Sequence, residues 1–212
     1  NNPASGIVCT SVGGRVQQNQ CSNNSGAGIV FSGNAGYATR KISCVGNYCI
    51  NNTFHGIQAG DVAAYATDAD LPSDNVISSN ECSGNTNAGI YAVNTLRTTI
   101  TGNACVDNGT VGIQLDERCK QATVSTNDCS DTRATTSRTQ VTGITLNNNV
   151  CNNNTTNGIF VQSNTAAITM ANISLTGNTC TNNVNGIIIV EQADNDISNV
   201  DCIGNVCLSN TT

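Results

Sequence analysis

ISLTGNTCTNNVNGIIIV, residues 173–190, carries the pattern that decides the fold. Ile173 and Leu175 alternate with Ser174 and Thr176, which is strand spacing. Gly177 and Asn178 follow, then Cys180, the pair Asn182-Asn183, and a second apolar run over 186–190. Asn and Gly are the residues that tolerate left-handed backbone angles, so they mark corners between short strands.

The same order of residues recurs along the chain. Asn-x-Cys occurs eight times, with the cysteines at Cys21, Cys49, Cys82, Cys105, Cys129, Cys151, Cys180 and Cys207, spaced 22 to 33 residues apart. With that Cys as position zero, position −2 is always Asn: Asn19, Asn47, Asn80, Asn103, Asn127, Asn149, Asn178 and Asn205. Position +3 is Asn in every repeat except the one with Thr132. Position −5 is always apolar: Val16, Cys44, Ile77, Ile100, Val124, Leu146, Leu175 and Cys202. An Ile column follows each Cys (Ile29, Ile57, Ile90, Ile113, Ile159, Ile187), preceded by Ile7 and interrupted at Ser137. Two residues later stands a mostly apolar column of Cys9, Phe31, Ala59, Ala92, Leu115, Thr139, Val161 and Ile189.

Apolar positions in steps of two, in segments of three to five residues separated by Asn and Gly, predict three short strands per repeat. One repeat cannot bury its inner face alone, but a stack can, which is the logic of a parallel β-solenoid. The fold class expected is all-β, a single solenoid domain over 1–212 with about eight coils and uncapped ends. At about 4.8 Å per rung the stack would be roughly 38 Å long. The ladder cysteines should point inward in one column and the −2 asparagines should stack in one corner.

Composition agrees. Of 212 residues only 10% are charged, which argues against coiled coils and helical bundles. The net charge of −6 argues against nucleic acid and anionic membranes as partners, and no apolar run approaches a membrane span. The chain starts at Asn1 with neither Met nor a signal peptide, so a mature chain or an internal fragment is expected. Twelve Cys beside one His and no Cys-x-x-Cys argue against a metal site on spacing; reduced packing and rung-to-rung disulfides stay equally open, in an oxidising, extracellular setting. Cys119 falls outside the inward columns and is expected in a turn, as the best candidate for a free or intermolecular thiol.

The pattern G-I-x-x-x … I-x-x-x-G-N-x-C-x-x-N-N resembles the right-handed parallel β-helix repeat of the pectate-lyase-like superfamily over essentially the whole chain. The resemblance implies a right-handed β-helix. It does not select an activity, since the superfamily spans lyases, epimerases, glycosidases, tailspikes and adhesins. This chain departs from common members by placing Cys where they place Ile, Val or Leu, and it lacks the Asp-Asp pair and Gly-His-Gly of polygalacturonases.

Length variation falls between the Ile column and position −7, so the insertions should form one ridge. The longest, 59–74, holds Asp61, Asp68, Asp70, Asp74 and Tyr65; its neighbour, 31–41, holds Tyr37, Arg40 and Lys41. As a catalytic alternative, Arg40, Lys41 and these aspartates would converge on a cleft, hold Ca²⁺ and abstract a sugar proton; the bland reading is a solvated polar loop. His55 reads as a turn residue, and the near absence of aromatics lowers a carbohydrate-enzyme reading. The outward face of the Ile strand is Val8, Val30, Gln58, Tyr91, Gln114, Arg138, Phe160 and Ile188.

Three functions follow as expectations, none with a cofactor. The first is an extracellular structural solenoid, the subunit of a head-to-tail filament, with Cys9, Cys21, Cys202 and Cys207 at its junctions. The second is a polysaccharide lyase or epimerase using the loops of coils two and three. The third is a tailspike-like or surface adhesin binding glycans along the loop ridge.

Overall fold

A computed structural model describes residues 4–32, 39–61, 70–116, 118–130, 135–138, 142–162, 169–190 and 196–211. The chain winds as a parallel β-solenoid. Two walls each hold eight strands, in which every strand pairs in parallel with its counterpart one coil away. Wall one runs Ile7–Cys9, Ile29–Phe31, Ile57–Ala59, Ile90–Val93, Ile113–Asp116, Thr135–Arg138, Asn157–Gln162 and Asn185–Val190. Wall two runs from Val12–Gln17 to Asp196–Ile203. The third wall forms strands in the last two coils, Thr179–Thr181 and Val206–Leu208; earlier coils meet there through single-residue bridges such as Tyr48 to Glu81. The solenoid has about six turns, so the expectation of about eight coils is slightly high while the class holds.

The core is the stack of inward columns. Ile29, Phe31, Ile57, Ile77, Ile90, Ile100 and Ile113 are wholly buried. Of the ladder cysteines, Cys21 to Cys180 are buried in this column, while Cys207 in the last coil is exposed.

Corners are built from left-handed residues at three places per coil. One column is Gly13, Lys41, Asp74, Arg97, Gln121, Gly143, Asn172 and Asn199; a second is Gln18, Gly46, Ser79, Gly102, Thr126, Asn148, Gly177 and Gly204; a third includes Asn23, Asn51, Gly84 and Asp107. The backbone polar groups that a corner would strand are taken up by two asparagine ladders. Asn47 donates from its backbone N and from Nδ2 to Asn80 Oδ1, both at 2.9 Å, and from Nδ2 to Val16 O at 2.8 Å. Asn80, Asn103, Asn127, Asn149 and Asn178 repeat this pattern in the same direction. The +3 asparagines form the second ladder, as Asn52 Nδ2 to Asn85 Oδ1 at 2.9 Å shows.

Of the two alternatives left open for the cysteines the reduced one is found and the disulfides are not, and two further expectations, on Cys119 and on one strand register, are corrected. None of the twelve cysteines is in a disulfide. In-register parallel rungs hold equivalent Cβ atoms about 4.8 Å apart and pointing the same way, whereas a disulfide needs about 3.8 Å and a twisted approach. The sulfurs instead neighbour one another along the column, Cys21 beside Cys49, Cys49 beside Cys82, Cys82 beside Cys105, Cys105 beside Cys129, Cys129 beside Cys151, Cys151 beside Cys180 and Cys180 beside Cys207. Burial pushes the Cys82 thiol up, and at Cys129 the neighbouring Cys105 and Cys151, followed by burial, do the same.

Cys119 is a free thiol, but it does not lie outside the inward columns: it is wholly buried in the core. It donates to Ala92 O at 3.2 Å and Asp116 O at 3.0 Å and meets Thr95 Oγ1 at 3.4 Å. In the sixth coil the register differs by two residues: Thr135 pairs with Ile159, Ser137 with Val161 and Thr136 with Phe160. Ser137 therefore occupies the second column in place of Thr139, and Thr136 stands in register with the outward column in place of Arg138. A two-residue shift preserves inward and outward alternation, so a strand of Thr and Ser gave no apolar signal to set it.

Candidate functional site

The outward face of wall one lines up Val30, Gln58, Tyr91 and Gln114 in register on successive coils. Tyr91 donates its hydroxyl to Asp116 Oδ2 at 3.3 Å, and Gln114 Nε2 donates to the same oxygen at 2.9 Å. Asp116 comes within reach of Tyr91 because Val93 pairs with Asp116 across the rung. The phenol ring is held from behind: His55 stacks on Tyr91 with centroids 4.5 Å apart and planes 13° apart, and Phe54 meets His55 edge-on at 4.2 Å.

His55 is buried and its Nδ1 accepts the Ala88 N–H at 3.2 Å, which places its proton on Nε2. Burial lowers its pKa to about 4. It is a neutral wall of the site at ordinary pH, and its packing exceeds that of a turn residue.

Wall one ends at the corner where the insertions emerge. There the backbone bridges run Arg40 to Ser73, Ser73 to Leu96, and Leu96 to Lys120. Lys41, Asp74 and Arg97 occupy the left-handed position one residue on. Arg97 donates from Nε to Asp74 Oδ1 at 2.6 Å and from Nη2 to Oδ2 at 3.0 Å, and Ser73 Oγ donates to Oδ2 at 3.2 Å. The Arg97 guanidinium, with Lys41 beside it, holds the Asp74 carboxyl below its usual range. Five of the eight Lys and Arg residues, Arg40, Lys41, Arg97, Arg118 and Lys120, lie at this corner in coils two to five of an acidic chain.

Of the residues singled out from the sequence, Arg40, Lys41 and Asp74 therefore meet at one corner. Asp61 flanks it, its carbonyl accepting from Asn94 Nδ2 at 2.9 Å. Asp70 follows the insertion and is half-buried, while Asp68, Tyr37 and Tyr65 lie outside the described residues. Among the described residues no three His, Cys, Asp or Glu side chains gather around a point as a metal site, and no helix is long and apolar enough to cross a membrane. Sequence reasoning placed Tyr91, Gln58 and Gln114 on the outward face but missed Asp116 and the His55 stack. The signal was there: Asp116 follows the wall-one apolar column at the same two-residue step.

No curated protein matches the chain. Three solved structures resemble it: the Azotobacter vinelandii mannuronan C-5 epimerase AlgE6 A-module (TM-score 0.69, 18% identity, 97% of this chain and 55% of that one), the periplasmic alginate epimerase AlgG (0.75, 16%, 93% and 47%) and the A. vinelandii mannuronan C-5 epimerase AlgE4 A-module (0.60, 16%, 96% and 52%). The chain spans about half the length of each, and at these identities the likeness is one of fold. The family model described as "Right handed beta helix region" matches residues 5–202. Near-complete coverage by that model, over coils whose strands stack in parallel on two long walls, makes this chain a member of the right-handed β-helix family.

Proposed function

We propose that this β-helix holds an acidic polysaccharide across the outward face of wall one, outside the cytoplasm, with Tyr91 as its proton-transfer group. The carrying observation is the Tyr91–Asp116 pair on the same side as a corner that gathers five of the chain's eight cations. An extended polyuronate presents one carboxylate per sugar, and cations spaced along a solenoid edge offset that charge rung by rung. Abstracting a proton next to a carboxylate requires a base whose neighbours orient it. The Tyr91 hydroxyl, bonded to Asp116 and stacked on His55, is so oriented: as its oxygen takes the proton from the sugar carbon, its own proton passes to the Asp116 carboxylate. The epimerase activity named for the structural neighbours supports a polysaccharide ligand.

Calorimetric titration with a mannuronate polymer tests this, with a neutral glucan as control. Binding of the uronate alone is expected, weakened by salt and by Lys41→Glu. Tyr91→Phe is expected to retain binding and to lose any proton exchange into the polymer from deuterated water. Equal affinity for the glucan, or no binding of either, overturns the proposal.

A second reading, head-to-tail stacking, rests on the polarity of the asparagine ladder. Every Nδ2 donates to the coil that follows, so Asn19 faces outward with Oδ1 at one end and Asn205 with Nδ2 at the other. Ile203, Val206, Leu208, Cys202 and Cys207 are exposed on the last coil, whereas Cys9 is half-buried and Cys21 buried at the first. Coils of any source with this repeat fit these faces, whether from the same polypeptide or from a second copy. Concentration-dependent sedimentation that Asn205→Leu abolishes would support copies; a monomer at all concentrations would remove the reading.

A further inference from the structure

We propose that the cysteine column is a binding site for soft, two-coordinate d¹⁰ cations of the Cu(I) and Ag(I) class, each bridging sulfurs on adjacent rungs. The eight ladder cysteines stack in register in an unbroken series through all coils, each interior thiol lying between two others. Sulfurs arrayed at about the 4.8 Å rung repeat are too far apart to join as disulfides. That same repeat suits a linear sulfur–metal–sulfur unit with each bond close to 2.3 Å, the length thiolate sulfur makes to first-row metals. Zinc would need four donors around one point, and among the described residues no such group exists. A hard cation would not choose sulfur.

The surroundings hold the sulfurs in line. A glycine seats against seven of the eight ladder cysteines, all but Cys151, so that a Cβ at Gly89 would lie 2.9 Å from Cys105 Cβ and one at Gly112 2.6 Å from Cys129 Cβ. The side chains therefore have little room to turn aside. The reaction balances without an oxidant: the cation takes the place of the S–H proton between two rungs, one sulfur becomes a thiolate, the next supplies a lone pair, and one proton leaves to solvent. Entry requires rungs to part transiently, so uptake should be slow. This site is inside the solenoid and independent of the polysaccharide face.

The test uses Ag(I) on the intact, reduced chain under anaerobic conditions, read by native mass spectrometry, proton release and X-ray absorption. Expected are several silver ions per folded chain, two sulfur neighbours per silver, and one proton released per ion. Cys105→Val, close in size, should lower the stoichiometry by two, because it removes a sulfur from two intervals. Cys119→Val, a buried thiol outside the column, should leave it unchanged. If the triple variant Cys9→Ala, Cys202→Ala, Cys207→Ala abolishes all uptake, silver binds only at partly exposed thiols and the proposal fails. It also fails if folded Cys105→Val binds as many ions as the parent. Should Cys105→Val not fold, Cys82→Val carries the same expectation, and two-sulfur coordination in the parent remains a separate criterion.

Discussion

Gly112 lies directly against Cys129 of the next coil: a Cβ added to Gly112 would stand 2.6 Å from Cys129 Cβ and 2.9 Å from its Sγ. Gly28, Gly56, Gly89, Gly158 and Gly186 meet the next ladder cysteine in the same way, and all but Gly186 also meet a carbonyl oxygen at 2.6–2.7 Å. This explains both halves of the repeat. Glycine before the Ile column makes room for backbone and cysteine, and the small thiol in turn tolerates the close approach.

Gly112→Ala should therefore destabilise the fold by about 2–4 kcal/mol through forced rearrangement in a closed core. Gly204→Ala meets nothing within 4 Å, and its φ of +63° alone opposes the change, for a cost of about 1 kcal/mol. Urea unfolding of the two variants checks the order; an equal loss would mean the cysteine contact does not constrain the coil.

The inward columns and the asparagine corner were legible because each repeats in nearly every coil and because core positions admit few residue types. The register at Thr135 was not, since Thr and Ser on either face look alike in sequence. Cys119 was misplaced because its inward column holds Thr39 and Thr95 in other coils, and polar residues there concealed a buried position. The Tyr91–Asp116 pair joins residues 25 apart; only the rung register brings them together, and that register varies with the length of each insertion.

Asn103→Leu should cost about 3–5 kcal/mol. It strands two donors from Asn80, the backbone N and Nδ2, both now 2.9 Å from Asn103 Oδ1, and it leaves Ile77 O without the Nδ2 at 3.0 Å. Each buried group left unpaired costs about 1–3 kcal/mol. Asn19→Ala, at the less buried first rung, should cost under about 1 kcal/mol. Thermal denaturation of the pair is the measurement, and comparable losses would contradict a ladder whose energy lies in its buried rungs.

His55 gives the fold a defined acid sensitivity. Its folded pKa is depressed from 6.5 to about 4 by burial, so the unfolded chain binds more protons between those values and stability falls as pH drops through that window. The contribution is fully present above pH 6.5 and lost by about pH 4, amounting to roughly 3 kcal/mol. As the sequence holds a single His, no other imidazole contributes to this loss. His55→Gln should be less stable than the parent at pH 7.5 yet lose less on acidification to pH 4. Parallel curves for the two proteins would place the sensitivity elsewhere.

Thr126 marks a position where the chain is less stable than its own repeat allows. It adopts φ 54° in a corner column otherwise filled by Gly46, Gly102, Asn148, Gly177 and Gly204, with Gln18 and Ser79. A β-branched residue is strained there, by about 1–2 kcal/mol relative to glycine, whereas Asn reaches the left-handed region at less cost. The Thr126 hydroxyl returns part of this by donating to Ser125 O at 2.7 Å and meeting Thr101 Oγ1 at 3.1 Å, but both bonds lie at an exposed edge, where water replaces them with little loss. Thr126→Asn should accordingly stabilise the protein by about 0.5–1 kcal/mol. Thr123→Asn, three residues earlier and in the wall-two strand, should have the opposite sign, because there the β-branched side chain suits the extended backbone. Chemical denaturation midpoints of the two variants settle the matter: a midpoint for Thr126→Asn at or below that of the parent would mean that the hydroxyl bonds outweigh the backbone strain.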